Sequence, residues 1–258
     1  MALLQCSFHS DVLGTGCQMN VIIPQPSATL IGMDSAARVR KDYRVLYLLH
    51  GCSDDHTIWG RRTSIERYVA GQELVVIMPS VQRSFYTDMV HGGRYWTFIS
   101  EELPRIAEAM FPISTRREDT FVAGLSMGGF GTLKLVLNCP ERYAGGAALS
   151  SVVDLNWHRE ALSSEWEHVF GSMELVRDSA NDLYAAAAKL AASDAPRPKI
   201  FQCCGTGDRF CQDNARFQDH LRALKLESVY REYPGEHNWA FWDAHIVEGL
   251  ESIGAIVR

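Results

Sequence analysis

A mostly parallel α/β fold is what this sequence predicts, on three observations. Short, densely apolar runs of strand length (43–49, 74–78, 145–149, 199–204) alternate with amphipathic stretches of helix length. The alternation persists through nearly the whole chain, which calls for strands side by side in one sheet with helices on both faces. At its centre, 120–123 runs into Gly124-Leu125-Ser126-Met127-Gly128 and then a helical pattern, the strand–turn–helix order that presents a serine. At 258 residues the chain fits a single domain spanning 1–258, large enough for a substantial core.

In chain order, residues 3–9 and 17–23 read as two opening strands joined around Gly14 and Gly16. A polar connection, 24–42, leads to the buried strand 43–49, which ends at His50-Gly51. Residues 59–70 carry a helical pattern with Ile65 and Val69 four apart, and the buried strand 74–78 is stopped by Pro79. An amphipathic helix covers 98–110, with Pro104 placed to disturb its middle or mark a break. The serine turn is followed by helix 132–137 and strand 145–149. Residues 151–195 break the rhythm: they are polar, hold Trp157 and Trp166, and contain an alanine-rich helix, 183–192. They read as a small excursion at the C-terminal edge of the sheet that partly covers the site. Strand 199–204, helix 214–225, strand 228–233, a loop at 235–237 and a final helix close the chain.

Composition excludes several functions. Hydrophobic residues at 47% and charged ones at 22% are an ordinary globular balance. A formal net charge of -6 leaves no basic footprint for nucleic acid and no polybasic patch for a membrane. No apolar window is long enough to cross a bilayer, and the start lacks a positive n-region, so a cytoplasmic protein is expected. Seven cysteines without an export signal point the same way, to reduced thiols. Cys203 and Cys204 are neighbours on a strand and face opposite sides, which argues against a shared metal.

The serine turn asks for partners. Acyl transfer needs a base to take the hydroxyl proton, an acid to orient that base, and donors for the oxyanion. In a strand–turn–helix architecture of this kind the order is serine, then acid, then histidine, each just beyond a strand. Of nine histidines, five follow Ser126. His158 and His168 fall in the excursion, His220 and His245 in helices, and only His237 sits in a loop after the last strand. Asp208 follows strand 199–204; Asp213 is its rival, placed to cap the next helix. Backbone N–H groups of Met127, after the serine, and Cys52, after His50-Gly51, are the expected oxyanion donors. The Cys52 thiol itself is not the nucleophile, and His50 is expected to bond within its loop. Trp59, Tyr86, Trp96 and Trp239 are candidates to line an acyl pocket.

Taken together, Leu48-Leu49-His50-Gly51, the Trp59 region, Tyr86-Thr87-Asp88, Glu101-Glu102-Leu103-Pro104, Gly124 to Gly129 and Gly235-Glu236-His237-Asn238-Trp239 resemble the esterase D-like family. The resemblance runs from about residue 5 to the C-terminus. It implies an α/β-hydrolase fold and a serine carboxylesterase nearest to bacterial tributyrin esterases, acting on small esters of short acyl chains. It implies a Ser126–Asp208–His237 triad, Cys52 and Met127 amides, no metal, no cofactor, and a homo-oligomer (dimer or tetramer). S-formylglutathione hydrolases form another branch, whose corresponding loop reads Leu-Thr-Cys where this chain has Cys52-Ser53-Asp54. That departure, and the absence of an export signal that many carbohydrate acetyl esterases carry, favour the simple ester. An acyltransferase on the same triad differs only in what reaches the acyl-enzyme. A non-catalytic binding module fits poorly with a complete set of triad candidates.

Overall fold

Among the described residues, eight strands build one sheet: β1 (Ala2–Ser10), β2 (Thr15–Ile23), β3 (Arg44–Leu49), β4 (Leu74–Pro79), β5 (Thr120–Leu125), β6 (Gly145–Leu149), β7 (Lys199–Gly205) and β8 (Ser228–Tyr233). They lie in the order β1-β2-β4-β3-β5-β6-β7-β8. The β1–β2 hairpin is antiparallel and β2 runs antiparallel to β4; from β4 onward every pairing is parallel. The structure, a computed structural model, describes residues 1–27, 29, 31, 40–155 and 163–257. Trp157 and His158 of the excursion lie outside the described residues, as does much of the 24–42 connection.

Alternation along each buried strand feeds both faces. Val45, Tyr47 and Leu49 of β3 join Val75, Ile77 and Val122 in one core, while Leu46 and Leu48 join Val76, Phe121 and Phe201 in the other. Cys203 and Cys204 likewise fall into opposite cores. Each fully buried aliphatic side chain contributes roughly 1.5–3 kcal/mol, so the sheet is held by its two covers. Among the described residues the α-helices are α1 (Ile58–Arg62), α2 (Ile65–Tyr68), α3 (Tyr95–Thr97), α4 (Leu103–Met110), α5 (Met127–Asn138), α6 (Ser163–Phe170), α7 (Met173–Val176), α8 (Leu183–Ala191), α9 (Cys211–Ala223) and α10 (Trp239–Ser252). Helices α4 and α5 cover the first face; α10, with α1 and α2, covers the second.

Two stretches differ from the expectation. The helix expected over 59–70 is two short ones, because the Thr63 hydroxyl and amide both donate to the Trp59 carbonyl (2.6 and 3.1 Å). Thr63 is then extended, and the Ser64 amide turns to Asp243 Oδ1 at 3.3 Å. Around Pro104 the expected disturbance takes the form of a change of helix type, not a break in the chain's helical course. A π-helical turn, Phe98–Glu102, precedes Pro104, with the Leu103 amide reaching back five residues to the Phe98 carbonyl, so the proline ring falls in the first turn of α4.

Candidate active site

Ser126 stands between β5 and α5 with φ 54° and ψ −116°, a conformation a side chain rarely adopts. Its two glycine neighbours are required by contact. A Cβ on Gly124 would lie 2.5 Å from the Gly128 carbonyl oxygen, and one on Gly128 the same 2.5 Å from that of Leu49. Bulk at either position would push the serine out of the turn.

Three strand ends converge on this point. Asp208 follows β7, and His237 lies in the loop between β8 and α10. His237 Nε2 is 3.0 Å from Ser126 Oγ, and its Nδ1 is 2.8 Å from Asp208 Oδ2. A carboxylate only accepts, so the ring proton sits on Nδ1 and Nε2 is left as a base toward the serine. Burial raises the Asp208 carboxyl, but hydrogen bonds from His237 and the Phe210 amide hold it below its ordinary value. Asp213, the rival acid, is in the first turn of α9 and pairs with Arg216; Phe210, not Asp213, occupies the N-cap. His220 bonds the Tyr184 carbonyl at 3.1 Å, and His245 stacks on Tyr233 at 4.1 Å.

The loop after β3 is built from backbone outward. Val81 N–H donates to His50 Nε2 at 3.0 Å, so the His50 proton is on Nδ1, which donates to the Gly51 carbonyl at 2.7 Å. Across a planar trans peptide the Cys52 N–H points opposite to that carbonyl. Tyr86 O–H donates to the His50 carbonyl (2.9 Å) and Trp59 Nε1–H to the Leu49 carbonyl (3.0 Å), pinning the same stretch. Burial lowers His50 to about 4, which keeps it neutral near pH 7. The Met127 N–H is the first of α5, with no carbonyl one turn behind it inside the helix. Cys52 is half-buried, and burial pushes its thiol up.

Ser126 opens on a cavity of about 480 Å³. Cys52, Asp54, Arg83, Phe85, Arg209 and Trp239 are on its wall, together with Val152 and Trp242. Of the four aromatic residues expected there, Trp239 alone lines it. Trp59 and Tyr86 are fully buried behind the loop they pin, and Trp96 lies under the Lys134 ammonium, 4.4 Å from its ring centroid. Asp88 accepts from the Thr97 amide and hydroxyl (2.9 and 2.7 Å), holding α3. The excursion backs the wall: Phe170 packs on Phe85 at 5.6 Å, and Glu165 pairs with Arg83 at 2.7 Å. Phe85 and Trp242 were missed from sequence. Phe85 carries no motif, and Trp242 is visible only as the residue one helical turn after Trp239.

Comparison with known proteins adds to this geometry. The family model described as "Putative esterase" matches residues 13–253. An acetyl esterase of Caldicellulosiruptor saccharolyticus is 30% identical, over 97% of both chains. Among solved structures, the fluorophosphonate-binding serine hydrolase F of Staphylococcus aureus, with substrate bound, is 33% identical with a TM-score of 0.86, covering 97% of each chain. An S-formylglutathione hydrolase of the same organism, as apoenzyme, is also 33% identical, with a TM-score of 0.84 over 97% of each. With the strand order above, these likenesses make the fold an α/β-hydrolase fold.

Proposed function

We propose that this chain, which belongs to the Esterase family and is a carboxylic ester hydrolase, hydrolyses short-chain acyl esters through an acyl-enzyme on Ser126. The observation that carries the reading is His237 bridging Ser126 and Asp208 at 3.0 and 2.8 Å. His237 Nε2 takes the serine proton as Oγ attacks the ester carbonyl, then returns it to the leaving alcohol. Asp208 holds the tautomer and stabilises the imidazolium. The Cys52 and Met127 amides receive the oxyanion, and water completes the cycle. The 480 Å³ cavity and the acetyl esterase relative support a small acyl group. The resemblance to tributyrin esterases points the same way, and also to a homo-oligomer; the cysteine usage supports a cytoplasmic location. No helix among the described residues is long and apolar enough to cross a membrane.

A second reading, a thioesterase acting on S-formylglutathione, draws on the likeness to the Staphylococcus aureus hydrolase. The loop Cys52-Ser53-Asp54 favours the oxygen ester. Hydrolysis of p-nitrophenyl esters from acetyl to octanoyl, beside S-formylglutathione, separates the two. Activity is expected to peak at acetyl to butyryl and to fall several orders of magnitude in Ser126→Ala with KM little changed. Near-normal turnover by Ser126→Ala would overturn the reading, and turnover of the thioester alone would replace it with the second.

A further inference from the structure

Next to the Ser126–Asp208–His237 array, a second strained serine holds an aromatic ring in place. Ser150, the residue after β6, is fully buried and has φ 46°, in the left-handed region. Its amide donates to the Cys203 carbonyl of β7 at 2.8 Å, fixing the backbone. Its Oγ accepts from Trp242 Nε1–H at 3.0 Å. An indole N–H is a donor only, and a buried one needs an acceptor, which Ser150 supplies. The Trp242 ring, in the first turn of α10, meets the His237 imidazole at 4.9 Å and 88°. Phe210 meets the same imidazole at 5.1 Å and 77°.

The imidazole needs such walls. Its bond to Asp208 restrains one nitrogen only. A swing of the ring about its Cα–Cβ and Cβ–Cγ bonds would carry the in-plane Nε2 lone pair away from the serine proton. Packing on the ring resists that swing, and packing holds only if the wall itself is held. We infer that Trp242, anchored by Ser150, is a positioning residue for the His237 base; the inference rests on the triad reading above. A strained serine at 150 is then explained by function: the left-handed turn brings its hydroxyl under the indole.

The Ser150 hydroxyl also favours the ionised form of Asp208, so the test separates the two routes. Ser150 does not line the cleft, whereas Trp242 does. Steady-state kinetics of Ser150→Ala, Ser150→Gly, Trp242→Phe and Ser150→Ala/Trp242→Phe are compared on one short-chain ester. Ser150→Gly suits the positive φ and keeps a folded protein if alanine does not. Both Ser150 variants are expected to lose about tenfold in kcat with KM nearly unchanged. Trp242→Phe is expected to lose about as much, and the double variant no more than either single one, since both changes cut the same bond. A Trp242→Phe with wild-type kcat beside slow Ser150 variants overturns the inference, because Ser150 then acts through Asp208. The low-field proton resonance of His237 Nδ1–H is expected to broaden in each. Wild-type kcat in Ser150→Gly overturns the inference, and so do losses that multiply in the double variant, which would route Ser150 through Asp208. His237→Ala is the control: if it keeps turnover, the triad reading itself fails, whereas an inactive His237→Ala beside an unaffected Ser150→Gly removes only the positioning role.

Discussion

At Ser126 the backbone carries a conformational cost that the proposed nucleophile role would explain. A conformation at φ 54° and ψ −116° costs a side chain on the order of 1–3 kcal/mol, and glycine escapes most of it. Ser126→Gly and Ser126→Ala should both be inactive, but the glycine variant should be the more stable by about 1 kcal/mol in urea unfolding, after its greater unfolded-state entropy is offset. Equal midpoints would mean the turn is unstrained. Single residues also mark where sequence reading reaches its limit. Ser126, Asp208 and His237 were legible because each follows a strand end, and strand ends in a parallel sheet converge. Trp59 and Tyr86 follow strands too, yet they face inward. Tyr86 has φ 51°, and such a local reversal turns a side chain to the other side of its loop with no trace in composition. Its hydroxyl therefore reaches the His50 carbonyl and not the cleft.

Between elements, the wall of the cleft is tied to the serine helix by a buried lysine, whose burial lowers it to about 7. Lys134 of α5 is fully buried, and its Nζ donates to the Tyr86 carbonyl (2.8 Å), Thr87 Oγ1 (3.1 Å) and Asn181 Oδ1 (2.6 Å). It joins α5, the loop carrying Phe85, and the excursion. An amphipathic pattern would put a lysine on the solvent face, so this hub was invisible in the sequence, as was the π turn that makes room for Pro104. Replacing it with methionine keeps the stem and removes all three donors. Lys134→Met should lose about 1–3 kcal/mol of stability, because the buried Tyr86 carbonyl loses its side-chain donor while Asn181 Oδ1 and Thr87 keep only their bonds to each other and to the Phe85 carbonyl. Amide exchange should quicken first at 84–88 and 181–183. A variant as stable as wild type, with unchanged exchange there, would show that the contacts are incidental.

For the whole molecule, the same convergence of strand ends that brings Ser126, Asp208 and His237 together also brings a buried, pH-sensitive group beside them. His50 joins the end of β3, the loop bearing Cys52 and the segment after β4, and it does so as a neutral ring that both accepts and donates. Burial lowers its folded value to about 4, against about 6.5 in an unfolded chain. Between those values the unfolded state binds a proton that the folded state refuses. Stability from this group is therefore complete above pH 6.5 and is lost as pH falls toward 4, by about 3 kcal/mol in all. Protonation also takes away the acceptor for the Val81 amide, so the loop that aims the Cys52 N–H should loosen in the same range. His50→Asn keeps a donor for the Gly51 carbonyl and cannot titrate. It should be less stable than wild type at pH 7, since Val81 N–H loses its partner, yet the gap between the two proteins should close as pH falls from 6.5 to 4. Taking that difference cancels the lowered carboxyls of Asp208 and Asp42 and the lowered imidazole of His245, none of which owes its shift to His50. Urea midpoints at half-unit steps of pH check it: a gap constant across the window would mean that His50 titrates at its ordinary value and that acid unfolding starts elsewhere.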